Sequence, residues 1–286
     1  MTSSDTATWP SLSENHPLLQ LHSRLPKILS NADHTSIWGV QLSPSSPPVF
    51  STLLILQKYL RSVANDVDKA GENLTKTLKW RKDFGLDQGT ASEDFGPDFE
   101  GLGYVTKVGN EGGSRDVVTW NVYGAVKELK KPFGDLNRFL RWRLNLMETA
   151  ISHLNLSQTS TPIPDFGHGP DPHRIDQIHL YEGVSFLRMD PLVKAASRAV
   201  IEIMQAHYPE LLLRKFFVEV PLLMSWMFGA ISLFVSTETA KKFQVISYKE
   251  NLAKELGNMD DVPAEYGGKG PDLRTLGQRL KTEAHQ

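Results

Sequence analysis

His179 and Tyr181 stand two residues apart on a strand-like run, 177–186, so their side chains share one face of a sheet while Ile178 and Leu180 point to the other. A polar face inside a sheet needs partners. The helix-forming run 136–154 supplies one: Leu140, Arg143, Leu144, Met147, Ala150, Ile151 and Leu154 recur at helical spacing, which sets Arg143 in an otherwise apolar stripe. Arg138, Arg141, Asn145 and Glu148 follow the polar side. An arginine on a buried face is almost never unpaired. Tyr123 ends a second strand-like run, 117–123, shares a face with Thr119 and Asn121, and can join the same pocket. This constellation has two readings. One is a hydrogen-bonded polar network within the core. The other is haem binding with a tyrosine phenolate on the iron, the phenol's pKa being lowered by a nearby arginine or histidine.

The elements that must carry these residues alternate. Short β-branched and aromatic runs at 104–108 and 117–123 flank Asn110-Glu111-Gly112-Gly113, a hairpin signature. After the long helix comes an insert, 157–174, so rich in Pro, Gly, Ser and Thr that a surface loop is expected. A helix is expected over 191–207 and strands over 215–220 and 244–247. Strands alternating with helices of this length imply an α/β sheet with crossovers. Upstream, residues 1–50 read as polar and irregular, ending in the cluster Ser43-Pro44-Ser45-Ser46-Pro47-Pro48. A small helical module follows, with Leu53, Leu54, Leu56, Tyr59 and Leu60 on one face and a second helix capped by Asn65-Asp66. The expected organisation is therefore an irregular segment 1–50, a helical module 51–95, an α/β domain 96–275 and a polar tail 276–286.

Several function classes are disfavoured. The 286-residue chain carries a formal net charge of −2, which argues against a nucleic-acid-wrapping surface. It has no cysteine, so disulfides, thiolate zinc sites, iron–sulfur clusters and cysteine nucleophiles are excluded. The first residues lack a basic start followed by an apolar core, so no secretory signal is expected. There is no Gly-x-Ser-x-Gly elbow, phosphate-binding loop, dinucleotide fingerprint or His-Glu-x-x-His, and the chain is not expected to be an enzyme. His168 and His173 lie in the insert, where no fixed ligand geometry is expected.

The run Leu222 to Val235 is almost wholly apolar. It is shorter than the roughly 20 residues a membrane span needs. A helix apolar all round must be covered, either as a core helix or as one that lies against lipid.

Leu60-Arg61, Asp66-Val67, Lys69-Ala70 and Leu78-Lys79-Trp80-Arg81-Lys82, followed by Arg188-Met189-Asp190, Tyr208-Pro209-Glu210, the strand 216–220, the apolar run, Lys242-Phe243 and Ala264-Glu265-Tyr266-Gly267-Gly268, resemble the CRAL-TRIO lipid-transfer family over residues 50–270. The resemblance implies a bowl with a mixed β-sheet floor, flanking helices and an apolar gate helix at 222–235, preceded by a small all-helical module. It also implies phosphatidylinositol as partner. Glu210, Thr239 and Lys242 fall at the family's headgroup positions, together with Arg61, although the arginine-rich turn of the family is replaced here by Ser62-Val63-Ala64. Lysine supplies charge to phosphate, threonine a hydroxyl donor, and glutamate accepts from inositol hydroxyls.

Within that family, the runs 118–124, 141–148 and 183–185 are most similar to a fungal subgroup of transfer-protein homologues that binds haem. That similarity implies haem b as cofactor, Tyr181 as iron ligand, and His179 and Arg143 in support, with Tyr123 nearby. A further tyrosine of the subgroup's helical module corresponds to Val63. The expected protein is a non-enzymatic haem- and phosphatidylinositol-binding carrier. It is expected in the cytoplasm, touching endoplasmic reticulum or microsomal membrane surfaces peripherally and transiently, with no nucleic-acid partner. The other reading is a phosphatidylinositol carrier without haem, whose His/Tyr/Arg group is a polar network.

Overall fold

A computed structural model describes residues 8–86, 93–109, 115–184, 190–220 and 235–283. The expected hairpin turn at 110–113, the motif residues Arg188 and Met189 and the apolar run at 222–234 lie outside the described residues. Val235 is described and is half-buried. The chain divides into two compact units: 1–88 with 154–173 and 206–211, and 89–153 with 174–205 and 212–286.

The first unit begins with a helix where an irregular segment is expected. Helix α1 spans Pro17–Ala32 and buries Leu18, Leu21, Leu25, Ile28, Leu29 and Ala32 along one stripe. Its start is fixed by Pro17 at the first helical position and by His16, whose Nδ1 accepts from the Leu18 N–H at 3.2 Å. Two features mask it in the sequence. Its cap is a histidine rather than Ser, Thr, Asp or Asn, and Pro26, a residue that ordinarily breaks helices, sits inside it.

A two-residue hairpin follows, β1 (Ser36–Ile37) with β2 (Val40–Gln41). Helices α2 (Phe50–Ser62) and α3 (Val67–Phe84) are those expected from the periodicity. Asp66 caps α3 by accepting from the Lys69 N–H at 3.0 Å, and Gly85, at φ 73°, closes it.

The insert is irregular, as its composition predicts, but it is not simply a surface loop. Ile163, Asp171 and His173 are buried. Helix α2 holds them. Lys58 Nζ donates to Asp171 Oδ2 at 2.6 Å and to the His173 carbonyl at 2.7 Å, Arg61 donates to the Pro164, Asp165 and Gly169 carbonyls, and Gln57 donates to Asp165 Oδ1. His173 Nε2 lies 2.8 Å from the Thr161 carbonyl, and no group of three metal-ligating side chains occurs among the described residues.

In the same unit His207 stacks on Trp80, with ring centroids 4.1 Å apart and planes 2° from parallel, and its Nδ1 lies 3.1 Å from Thr77 Oγ1. Burial, assisted by the Arg81 cation, pushes its pKa down to about 4. The folded value lies below the ordinary 6.5, so the unfolded chain takes up this proton first. The stability His207 contributes is complete above about pH 6.5 and lost as pH falls towards 4. We expect His207→Gln to flatten the stability–pH curve in that window, as measured by urea unfolding at pH 7, 5.5 and 4.5. An unchanged slope overturns the assignment.

The second unit is built on a five-stranded sheet in the order β3 (Gly103–Gly109), β4 (Arg115–Val122), β5 (Ile175–Leu180), β6 (Leu212–Val218) and β7 (Phe243–Ile246). The β3/β4 pair is antiparallel, as the hairpin signature requires, and the other pairs are parallel. The helices between them in sequence are α4 (Lys130–Phe133), α5 (Leu136–Ser152), α6 (Pro191–His207, ending in the first unit) and α7 (Thr237–Ala240). Helices α8 (Leu252–Leu256) and α9 (Leu273–Leu276) close the chain. The α/β class with a mixed sheet and flanking helices is as expected. No helix among the described residues is long and apolar enough to cross a membrane.

Period-two alternation gives the sheet two unlike faces. Val118, Trp120, Ile178, Leu180, Phe216, Val218 and Ile246 point to one side and form a core with Leu252, Leu256, Val262 and Tyr266. The residues expected as a polar tail do not trail away: Gln278 exchanges both backbone hydrogen bonds with Val105 at 2.9 Å. The other face carries Thr119, Asn121, Gln177, His179, Lys215 and Phe217, and α5 lies over it. Gly103 permits close approach here, since a Cβ at that position would stand 2.8 Å from Trp142 and Leu146 of α5.

Candidate functional site

The polar face of the sheet gathers aromatic and basic side chains from three strands and one helix. Strand β5 stops at Leu180, and Tyr181 extends its ladder by one residue, donating its N–H to the Val218 carbonyl at 3.0 Å. Tyr123 begins a single 3₁₀ turn at the end of β4. Gly124 lets these two ends meet, because a Cβ there would fall 2.3 Å from the Glu182 carbonyl oxygen. Their rings stand 5.6 Å apart between centroids. His179 is 5.5 Å from Tyr123 and 6.4 Å from Tyr181, and Phe217 stacks on Tyr181 at 6.4 Å with planes 10° apart. Phe243 of β7 packs edge-on against Phe217 at 5.3 Å.

Arg143 enters from α5 at 1% exposure. Its Nη2 donates to Gln177 Oε1 at 3.4 Å, and the Gln177 amide in turn donates to Met147 Sδ. Its Nε and Nη1 have no hydrogen-bond partner, and neither has His179 Nε2, Thr119 Oγ1 or Asn121 Oδ1. Buried polar atoms are almost always satisfied. Here several unsatisfied ones converge on one face.

Burial sets the protonation of the group. It lifts the Tyr181 phenol well above its ordinary value, with Tyr123 adding and the Arg143 charge opposing. The Tyr123 phenol is raised by burial and pulled back by Arg143. His179 is held well below 6.5 by burial, then by the Lys215 and Arg143 cations, so it is a neutral imidazole near pH 7. Burial and Arg143 push the Lys215 ammonium down to about 7. Tyr123 and Tyr181 are each half-buried.

The four side chains singled out from the sequence, Tyr123, Arg143, His179 and Tyr181, thus stand together. Lys215, Phe217 and Gln177 belong to the same group and were not anticipated. Their signal is the two-residue spacing Lys215/Phe217 within a strand-forming run, which places both on one face.

The headgroup positions fall in separate units. In the first, Arg61 Nε donates to Glu210 Oε2 at 3.2 Å, and its remaining nitrogens are engaged by the insert's carbonyls. Arg61 therefore holds Glu210 and the insert, each of its three nitrogens donating at least one hydrogen bond. Glu210 itself sits at φ 55°. In the second unit Thr239 lies in α7, where its backbone N–H is capped by Ser236 Oγ, and Lys242 follows, half-buried, its carbonyl accepting from the Lys215 N–H at 2.8 Å.

A mixed sheet of this order, with one apolar face and one that gathers polar and aromatic side chains, defines a ligand-binding α/β domain. The CRAL/TRIO domain model matches residues 117–268, and the chain belongs to that family. It is 67% identical over 284 residues to phosphatidylinositol transfer protein SFH5 of Cryptococcus neoformans var. neoformans serotype D (strain B-3501A), spanning 98% of this chain and 96% of that one. It is 47% identical over 279 residues to phosphatidylinositol transfer protein SFH5 of Phaeosphaeria nodorum, spanning 96% and 83%. The crystal structure of Sfh5 superimposes with a TM-score of 0.77 at 28% identity, covering 94% of this chain and 93% of that one.

Proposed function

We propose that this protein is a non-enzymatic carrier that binds phosphatidylinositol and also haem b, with Tyr181 as the iron ligand. The relatives' shared name supports the lipid. The haem reading is carried by one observation: two tyrosines, a neutral histidine and a buried arginine gather on one side of the sheet beside Phe217, with His179 Nε2 and two Arg143 nitrogens lacking partners. This donor set fits haem. Tyr181 supplies an anionic oxygen once its proton is lost, Arg143 stabilises that charge, and Phe217 and Tyr123 offer faces for a flat macrocycle. Bound haem would supply a ferric centre whose charge makes loss of the phenol proton favourable.

The absorption spectrum of the purified protein tests this. A Soret band, or its appearance on titration with hemin, is expected; colourless protein that resists loading sinks the haem reading.

For the lipid, Thr239 and Lys242 are the proposed headgroup contacts on the second unit. Thr239→Ala with Lys242→Ala is expected to lower phosphatidylinositol transfer between vesicles about tenfold or more, the scale of losing charge-assisted hydrogen bonds. Haem and acyl chains would compete for one volume, so haem-loaded protein is expected to transfer more slowly than haem-free protein. Equal rates count against a shared site. Contact with membranes is proposed to be peripheral and transient, at cytosolic faces such as that of the endoplasmic reticulum, and co-sedimentation with microsomes that 0.5 M salt reverses is the expected behaviour (about a 4 Å screening length by interpolation).

A further inference from the structure

We propose that Lys215 and Arg143 form an anion-binding pair within this group that takes the carboxylate of an otherwise apolar ligand. Two cations face the same side of the sheet with Gln177 between them. Arg143 Nη2 bonds Gln177 Oε1 at 3.4 Å, and Gln177 stands directly opposite Lys215 in the β5/β6 register. Lys215 Nζ lies 5.4 Å from the centroid of Phe217 and 5.8 Å from that of Phe243, so its ammonium is held over ring faces rather than against a carboxylate.

No aspartate or glutamate stands on this face of β4, β5, β6 or β7. The nearest acid in β5, Asp176, points to the opposite face and is paired there with Arg214. Among the described residues, the other titratable groups that ring contacts and register place beside the pair are His179 on β5 and the two tyrosines, and none is a carboxylate. Holding a second positive charge beside Arg143 without a counter-ion carries a free-energy cost. An anion that enters with the ligand removes that cost. The partnerless Nε and Nη1 of Arg143 leave charged N–H donors free for a carboxylate oxygen. Apolar and aromatic walls around two cations select a ligand with an apolar body and one acidic end.

The inference rests on the proposed ligand site but not on iron, and the test separates the two. Tryptophan and porphyrin fluorescence report binding of metal-free protoporphyrin IX, which has two carboxylates, and of its dimethyl ester, which has none. Oleate and methyl oleate form a second matched pair, and inorganic phosphate serves as competitor.

We expect the wild-type protein to prefer an acid over its ester by about tenfold or more, with Lys215→Met reducing the preference below about threefold. Acid preference for the porphyrin assigns the anion to a macrocycle, preference for oleate assigns it to an acyl chain, and displacement of acid but not ester by phosphate extends the pair to lipid phosphates. Each of these supports the pair. Equal affinity of the wild type for acid and ester in both series overturns it, as does a Lys215→Met loss that is the same for acid and ester. The wild-type comparison needs no variant to fold. Tyr181→Phe is expected to lose haem ligation and keep the acid preference, so failure of the iron reading leaves this one standing, and the reverse also holds.

Discussion

Lys58→Met is expected to destabilise the first unit by about 3–5 kcal/mol, the cost of leaving one member of a fully buried ion pair without its partner. Both side chains of the Lys58–Asp171 pair have 0% exposure. The three ammonium protons of Lys58 meet three acceptors: Asp171 Oδ2 at 2.6 Å, the His173 carbonyl at 2.7 Å and the Glu210 carbonyl at 3.1 Å. Asp171 in turn accepts the His173 N–H at 2.7 Å through its other oxygen.

Methionine nearly matches the volume of the lysine stem, so the loss isolates charge and hydrogen bonding from packing. Three consequences arrive together: a buried carboxylate without a cation, and two carbonyls, of the insert and of the Tyr208-Pro209-Glu210 turn, without a donor. Guanidinium unfolding is the measurement. The double variant Lys58→Met with Asp171→Leu is expected to recover a large part of the loss, since replacing both partners with apolar groups removes the uncompensated charge. A single variant within about 1 kcal/mol of wild type refutes the argument.

That ion pair also shows where sequence reading stops. The insert's Pro, Gly, Ser and Thr content correctly marks it as irregular, yet composition says nothing of Lys58, more than 100 residues away, which anchors it. Local periodicity fares better. The 3.6-residue stripe in α5 places Arg143 inward, and two-residue alternation in β5 places His179 opposite Ile178, because both signals lie within one element.

Contacts that depend on pairing between strands are invisible at that level. Lys215 joins His179 and Arg143 because β6 lies beside β5 with Lys215 opposite Gln177, a register set by the whole sheet, including an irregularity between Ile175 and Gln177. Helix α1 was hidden for a different reason. Its apolar stripe is regular, but a histidine cap and an internal proline contradict the usual start and continuation signals.

Tyr181→Phe is expected to abolish the Soret band of a haem-loaded sample and to weaken hemin binding by more than about a hundredfold, beyond the 10- to 100-fold typical of a residue that merely supports a metal ligand. Phenylalanine keeps the ring that stacks on Phe217 at 6.4 Å and neighbours Tyr123 at 5.6 Å, so the ring contacts persist while the oxygen is lost. The phenol is a poor anion in the unliganded protein, since burial and Tyr123 both raise its pKa and Arg143 alone opposes them. Ligation therefore depends on two positive charges, the metal's and that of Arg143. Arg143→Met should weaken hemin binding about 10- to 100-fold while leaving a tyrosinate-like spectrum at saturating hemin, which separates a positioning residue from the ligand itself. Metal-free porphyrin binding controls for folding, because it needs the site but not the oxygen. Hemin binding to Tyr181→Phe with wild-type affinity and an unchanged spectrum would refute iron ligation by Tyr181.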